Sequence, residues 1–152
     1  MPSCSRRHWS LWSRPSKRSR VAAVPVKGCG IDLIEVKRIA RALTRPGLRE
    51  RIYTPRERAE LQGKGVESWA ARFAAKEAVM KALGRGFLQG VPFAAVEIYA
   101  DAWGRPQVRL LEPAAQLAAE QGIRSFCLSL SHTKELAAAY VLALGEEETC
   151  GL

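Results

Sequence analysis

The chain has 152 residues, and its 24 Lys and Arg against 15 Asp and Glu give a formal net charge of +9. Residues 1–20 hold Arg6, Arg7, Arg14, Lys17, Arg18 and Arg20 and no acid, so the remainder carries only +3. That removes whole-chain basicity as an argument for nucleic-acid binding, and no run approaches the ~18 apolar residues of a membrane span.

In chain order, residues 1–23 are a basic, Ser- and Arg-rich extension without the apolar core of a secretory signal. Their composition shares the bias of an organelle transit peptide. A disordered extension, or a start codon placed too far upstream, accounts for it more simply. Residues 24–146 are expected to form one domain and 147–152 a flexible C-terminus. Residues 24–31 read as a strand ending in glycines, and 34–43 as a helix with Ile34, Ile39, Ala42 and Leu43 inward. Thr54-Pro55-Arg56-Glu57 is a helix start: Thr caps, Pro occupies the first turn and Glu closes the capping box. Residues 68–83, rich in Ala and free of Gly and Pro, predict the longest helix. Strands are expected at 96–100 and 106–111 around an Asp101–Gly104 turn, then a helix at 113–121. A half-buried strand follows near 126–131, and 137–144 suits a central strand. The mixture lacks a regular βαβ rhythm, so the fold class is α+β. Cys4, Cys29, Cys127 and Cys150 show no zinc-site spacing, and a reducing, cytoplasmic setting is the default.

On the long helix, Trp69, Phe73, Met80 and Leu83 make an apolar stripe that contains Lys76 and Glu77. A carboxylate facing a core costs on the order of several kcal/mol unless it is partnered. Glu77 either pairs with Lys81 at i,i+4 or holds a metal at the mouth of a cleft. Asp32 either caps the helix that follows or ligates a metal at its strand end. Two oxygen ligands from separate elements suit magnesium, which takes its other ligands from water and substrate phosphates. Arg72, Lys76 and Lys81 with Gly84-Arg85-Gly86 read as a diphosphate seat or as a solvated basic face with a helix C-cap. His132 at an expected turn reads as structural or catalytic.

Several segments together resemble one family. Gly28-Cys29-Gly30-Ile31-Asp32-Leu33-Ile34 with Arg38-Ile39 is similar to the opening of the short 4′-phosphopantetheinyl transferases, the holo-[acyl-carrier-protein] synthases. Tyr53-Thr54-Pro55-Arg56-Glu57 resembles their Thr-x-x-Glu segment. Trp69–Ala78 with Lys81-Ala82 resembles the W/F-x-x-x-E-A-x-x-K-A signature. Asp101–Pro106 is similar to the D-x-x-G-R/K-P hairpin, and Ser129–Glu135 to the closing segment. The ordered set covers about residues 27–144.

The resemblance implies a small antiparallel sheet packed against a long helix, assembled as a trimer with coenzyme clefts between subunits. It implies transfer of 4′-phosphopantetheine from coenzyme A to a serine of apo-acyl carrier protein, releasing adenosine 3′,5′-bisphosphate. Asp32 and Glu77 match the magnesium carboxylates, and Lys81 the catalytic lysine near the diphosphate. Arg72, Gly84, His132 and Thr133 match coenzyme-lining positions. Arg38 matches the carrier-contacting position, which Arg41 and Arg45 extend along the same basic side. The serine proton goes to Glu77 or to a metal-bound water, and the residues leave both open.

Overall fold

The computed structural model describes residues 23–84 and 90–146. The expectations for most of the basic tail, for Arg85 and Gly86, and for the C-terminal residues 147–152 lie outside the described residues. Strand β1 (Val26–Glu35) leads into helices α1 (Val36–Leu43), α2 (Leu48–Ile52), α3 (Pro55–Leu61) and α4 (Val66–Ala82). A short 3-10 turn (Phe93–Ala95) precedes the hairpin β2 (Val96–Ala100) and β3 (Pro106–Leu110), then α5 (Ala114–Glu120), β4 (Ser125–His132) and β5 (Leu136–Leu144). The strands form a three-stranded antiparallel sheet in the order β1-β5-β4 and a separate two-stranded sheet. The 137–144 segment is central, as its uninterrupted apolar run predicts.

Helix α4 packs on the three-stranded sheet, and both surfaces are made of small residues. Ala70, Ala71, Ala74, Ala75, Ala78 and Ala82 are buried on the helix, and Ala137, Ala139, Val141 and Ala143 on β5. Strand β1 goes further and offers no side chain at two points. A Cβ on Gly30 would stand 1.9 Å from the Ala78 carbonyl oxygen, and one on Gly28 would stand 2.1 Å from that of Ala82. These glycines do not end the strand, as the sequence reading expects. They are strand positions against which the helix backbone rests, and β1 runs on through Asp32 to Glu35. Asp32 is therefore paired within the sheet, opposite Ala139, and does not cap α1.

The capping box of α3 forms as its sequence dictates: Glu57 N–H donates to Thr54 Oγ1 at 3.3 Å and Thr54 N–H to Glu57 Oε2 at 2.8 Å. Period-2 alternation divides the three-stranded sheet into two faces. Ile34, Ala137, Ala139 and Val141 face α4, whereas Ile31, Leu33, Leu136 and Tyr140 point to the other side and are exposed. Arg49 and Arg51 lie past α1, in the short helix α2.

Candidate functional site

The close approach of α4 to β1 brings the two candidate carboxylates together. Asp32 projects from β1 toward the helix side, and Glu77 immediately precedes Ala78, whose carbonyl rests over Gly30. Glu77 is half-buried and has no hydrogen bond or ion pair among the described residues. Burial pushes its pKa above the usual carboxylate value, the neighbouring Asp32 charge pushes it further, and Lys81 and Arg38 offset part of the rise. Lys81 does not pair with Glu77, the simpler of the two readings of that spacing. Its Nζ meets Asp32 Oδ1 at 2.8 Å and donates to the Ile31 carbonyl at 2.8 Å. Two carboxylates that repel each other, one of them partnerless, have the chemistry to accept a cation between them. Among the described residues no group of three or more His, Cys, Asp and Glu side chains forms a metal cluster. The pair suits an ion that completes its shell with water and phosphate oxygens, and magnesium is such an ion.

A cleft of about 420 Å³ opens elsewhere, bordered by β4, the β2–β3 hairpin and the start of α4. Arg72 and His132 line it, as do Lys64, Ser68 and Tyr99, while Asp32, Glu77 and Lys81 do not. The carboxylate pair stands at the β1 edge of the sheet and the cleft at the β4 edge, with α4 between them. The structure thus divides the candidate site residues into two groups within one chain. His132 is the last residue of β4, opposite Ala137, rather than a turn residue. Thr133 makes the following turn, its Oγ1 accepting from the backbone N–H groups of Glu135 and Leu136 at 3.2 and 3.1 Å. Gly84 closes α4 with φ 66°, in the left-handed region that favours glycine. Arg38 and Arg41 lie exposed on α1, and Arg45 follows its C-cap. Arg38 is close enough to Glu77 to lower its pKa.

Sequence reasoning missed Lys64, which no motif marks, and the buried charge cluster beneath the site. Lys76 is fully buried, its Nζ 2.7 Å from Glu57 Oε2 and bonded to the carbonyls of Phe93 and Val96. Burial lowers the Lys76 pKa, and the charges of Glu57 and Glu97 counter that shift. Glu57 Oε1 accepts from Ile98 N–H at 2.9 Å, and Thr54 Oγ1 donates to Glu97 at 2.7 Å. This cluster ties α3 and the β2–β3 hairpin to α4. A Lys inside an Ala-rich helix was the signal that could have revealed it.

Residues 28–143 match the family model described as the 4′-phosphopantetheinyl transferase superfamily. A curated relative from Solidesulfovibrio magneticus, named holo-[acyl-carrier-protein] synthase, is 48% identical over 122 residues, 79% of this chain and 99% of that protein. The holo-(acyl-carrier-protein) synthase of Bacillus anthracis, solved in complex with CoA (3′,5′-ADP), is 37% identical with a TM-score of 0.67, covering 82% of this chain and 100% of that one. The Plasmodium yoelii acyl carrier protein synthase with ADP bound is 31% identical with a TM-score of 0.74, covering 82% and 99%. The α+β fold, the ordered motifs and the likeness along nearly the full length of these relatives agree, and the chain belongs to the 4′-phosphopantetheinyl transferase superfamily.

Proposed function

We propose that the chain is a holo-[acyl-carrier-protein] synthase: it transfers 4′-phosphopantetheine from coenzyme A to a serine of apo-acyl carrier protein. The serine oxygen attacks the β-phosphorus of the coenzyme, the P–O bond to adenosine 3′,5′-bisphosphate breaks, and the serine proton passes to Glu77 or to water. The observation that carries this reading is the juxtaposition of Asp32, inside the Gly-x-Gly-x-Asp strand β1, with a partnerless, half-buried Glu77 on α4.

Asp32 and Glu77 would hold the magnesium ion, which supplies positive charge against the diphosphate as the bond breaks. Lys81, tethered to Asp32 and to the Ile31 carbonyl, keeps a further N–H for a phosphate oxygen and stabilises the leaving group. The cleft bordered by β4 takes the adenosine end of the coenzyme. Lys64, Arg72 and His132 supply basic groups there, Tyr99, Leu128 and Leu130 apolar surface, and among the described residues no carboxylate lines it. Arg38, Arg41 and Arg45 form the docking face for the acidic carrier, beside Glu77.

A trimer belongs to the same proposal. Ile31 and Leu33 are more than 60% exposed, and Leu136 and Tyr140 add to one apolar sheet face that no element among the described residues covers. Packing that face against other copies would bring the carboxylate edge of one protomer toward the cleft edge of its neighbour. A cytoplasmic enzyme acting on the fatty-acid carrier completes the proposal. It is supported by the free thiols Cys29 and Cys127, and among the described residues no helix is long and apolar enough to cross a membrane. Incubation with coenzyme A, Mg²⁺ and apo-acyl carrier protein should raise the carrier's mass by one phosphopantetheine. An unmodified carrier, with the chain folded, would overturn the assignment.

A further inference from the structure

Coenzyme A carries two separate anionic groups, the diphosphate and the 3′-phosphate on its ribose. Asp32, Glu77 and Lys81 account for the first. The β4-edge cleft, with three bases and no acid among the described residues of its lining, suits the second. Lys64 and His132 make no ion pair among the described residues, whereas Arg72 is held in one pose.

Arg72 is 7% exposed; its Nη2 lies 2.6 Å from Glu60 Oε2, and its Nη1 donates to the Ile98 carbonyl. Glu60 is itself fixed from further directions. Its Oε2 accepts from Ala100 N–H at 3.1 Å, and its Oε1 from Arg56 Nε at 3.1 Å. Arg56 in turn stacks 4.0 Å over the ring of Tyr99, a lining residue of the cleft. Burial works against the Glu60 charge, but the hydrogen bonds from Arg72 and Ala100 and the Arg72 charge outweigh it and lower its pKa. An ionised carboxylate with three donors is a rigid anchor, and it takes one edge of the guanidinium while the remaining N–H groups stay available to a ligand.

We propose that Glu60 is a positioning residue for the coenzyme's 3′-phosphate. It holds the Arg72 guanidinium against the β2 backbone so that the unused N–H groups meet that phosphate in the cleft. The proposal rests on the coenzyme reading of this cleft, and it makes Glu60 a determinant of donor choice although it does not touch the donor. A carboxylate that only joined α3 to α4 would affect all donors alike.

The test compares coenzyme A with 3′-dephospho-coenzyme A as donors to apo-acyl carrier protein, in the wild type, Arg72→Ala, Glu60→Ala, Glu60→Gln and the Arg72→Ala/Glu60→Ala double variant. Wild type should prefer coenzyme A, and Glu60→Ala should lower that preference about tenfold, as loss of a charge-assisted contact does. The double variant should be no less selective than Arg72→Ala, since both changes remove one unit. Glu60→Gln, which keeps an acceptor for Arg72, should recover part of the preference. If Glu60→Ala misfolds, binding of adenosine 3′,5′-bisphosphate against 5′-AMP to the Gln variant decides, with a reduced ratio expected. An equal loss for both donors, an unchanged preference or a preference increased by Glu60→Ala would overturn the proposal. A wild type indifferent to the 3′-phosphate would instead overturn the coenzyme reading of the cleft, and this inference with it.

Discussion

Gly30→Ala tests whether backbone contact between β1 and α4 is what builds the site. The added Cβ would lie 1.9 Å from the Ala78 carbonyl oxygen, and ordinary contact begins at 3.4 Å, so helix and strand must separate by about 1.5 Å. Neither atom belongs to a flexible side chain, and the strain cannot be relieved by a rotamer change. Overpacking of this kind costs about 1–3 kcal/mol, which leaves a domain of ordinary stability mostly folded. The catalytic cost should be larger in proportion. Glu77 precedes Ala78 and must keep its place beside Asp32, and a misplacement of about 1 Å at a reacting centre costs on the order of 10²-fold in rate. Circular dichroism and thermal melting would report the stability loss, and carrier modification at saturating coenzyme A and Mg²⁺ would report kcat. Gly28→Ala, with its Cβ 2.1 Å from the Ala82 carbonyl oxygen, should behave in the same way. Wild-type turnover in a folded Gly30→Ala protein would show that the close approach does not position the carboxylates.

Four further outcomes follow from the geometry. Glu77→Gln should abolish transfer yet raise the melting temperature slightly, because it removes a half-buried, partnerless charge beside Asp32; retained transfer would refute its role as a metal carboxylate. Lys76→Met should destabilise the fold by about 3–5 kcal/mol, since it leaves Glu57 buried without its counter-ion; a loss of no more than ~0.5 kcal/mol, the scale of surface changes, would argue against the buried pair. Reversing Arg38 and Arg41 to Glu should raise the apparent KM for the carrier severalfold and flatten its salt dependence, with the KM for coenzyme A hardly moved. An equal effect on both substrates would rule out α1 as the docking face. Tyr140→Glu on the exposed sheet face should convert the proposed trimer to monomers in analytical ultracentrifugation and remove activity; an active monomeric wild type would refute the assembly.

Local signals in the sequence proved dependable where the physics is local. Thr54 and Glu57 satisfy each other's backbone N–H groups within one turn, so the start of α3 could be read without its surroundings. The extent of α4 follows as directly from its Ala content and its glycine neighbours. The β1 boundary failed for a tertiary reason. Glycine ordinarily weakens a strand, and only the presence of α4 overhead explains why Gly28 and Gly30 are needed inside one. The same contact sets Asp32 within the sheet and excludes the capping alternative for it, a distinction that no window of neighbouring residues could disclose.

The site was legible as chemistry before it was legible as geometry. A motif marks which side chains are wanted, and it marked Asp32, Glu77 and Lys81; the pairing of Lys81 with Asp32 rather than Glu77 depends on a strand about 50 residues away in sequence. Glu57 shows the converse limit. Its capping role accounts for it fully at the local level, so nothing called for a second partner, yet its carboxylate also meets buried Lys76 from α4. The sides of α4 carry the same lesson further. Arg72 and Lys76 turn toward α3 and the β2–β3 hairpin, whereas Glu77 and Lys81 turn toward β1. One helix therefore serves two edges of the sheet, and its own backbone separates the groups proposed to engage a single coenzyme. In the proposed trimer that separation is a requirement, because a molecule with its diphosphate at the β1 edge of one protomer can place its adenosine against the β4 edge of the next.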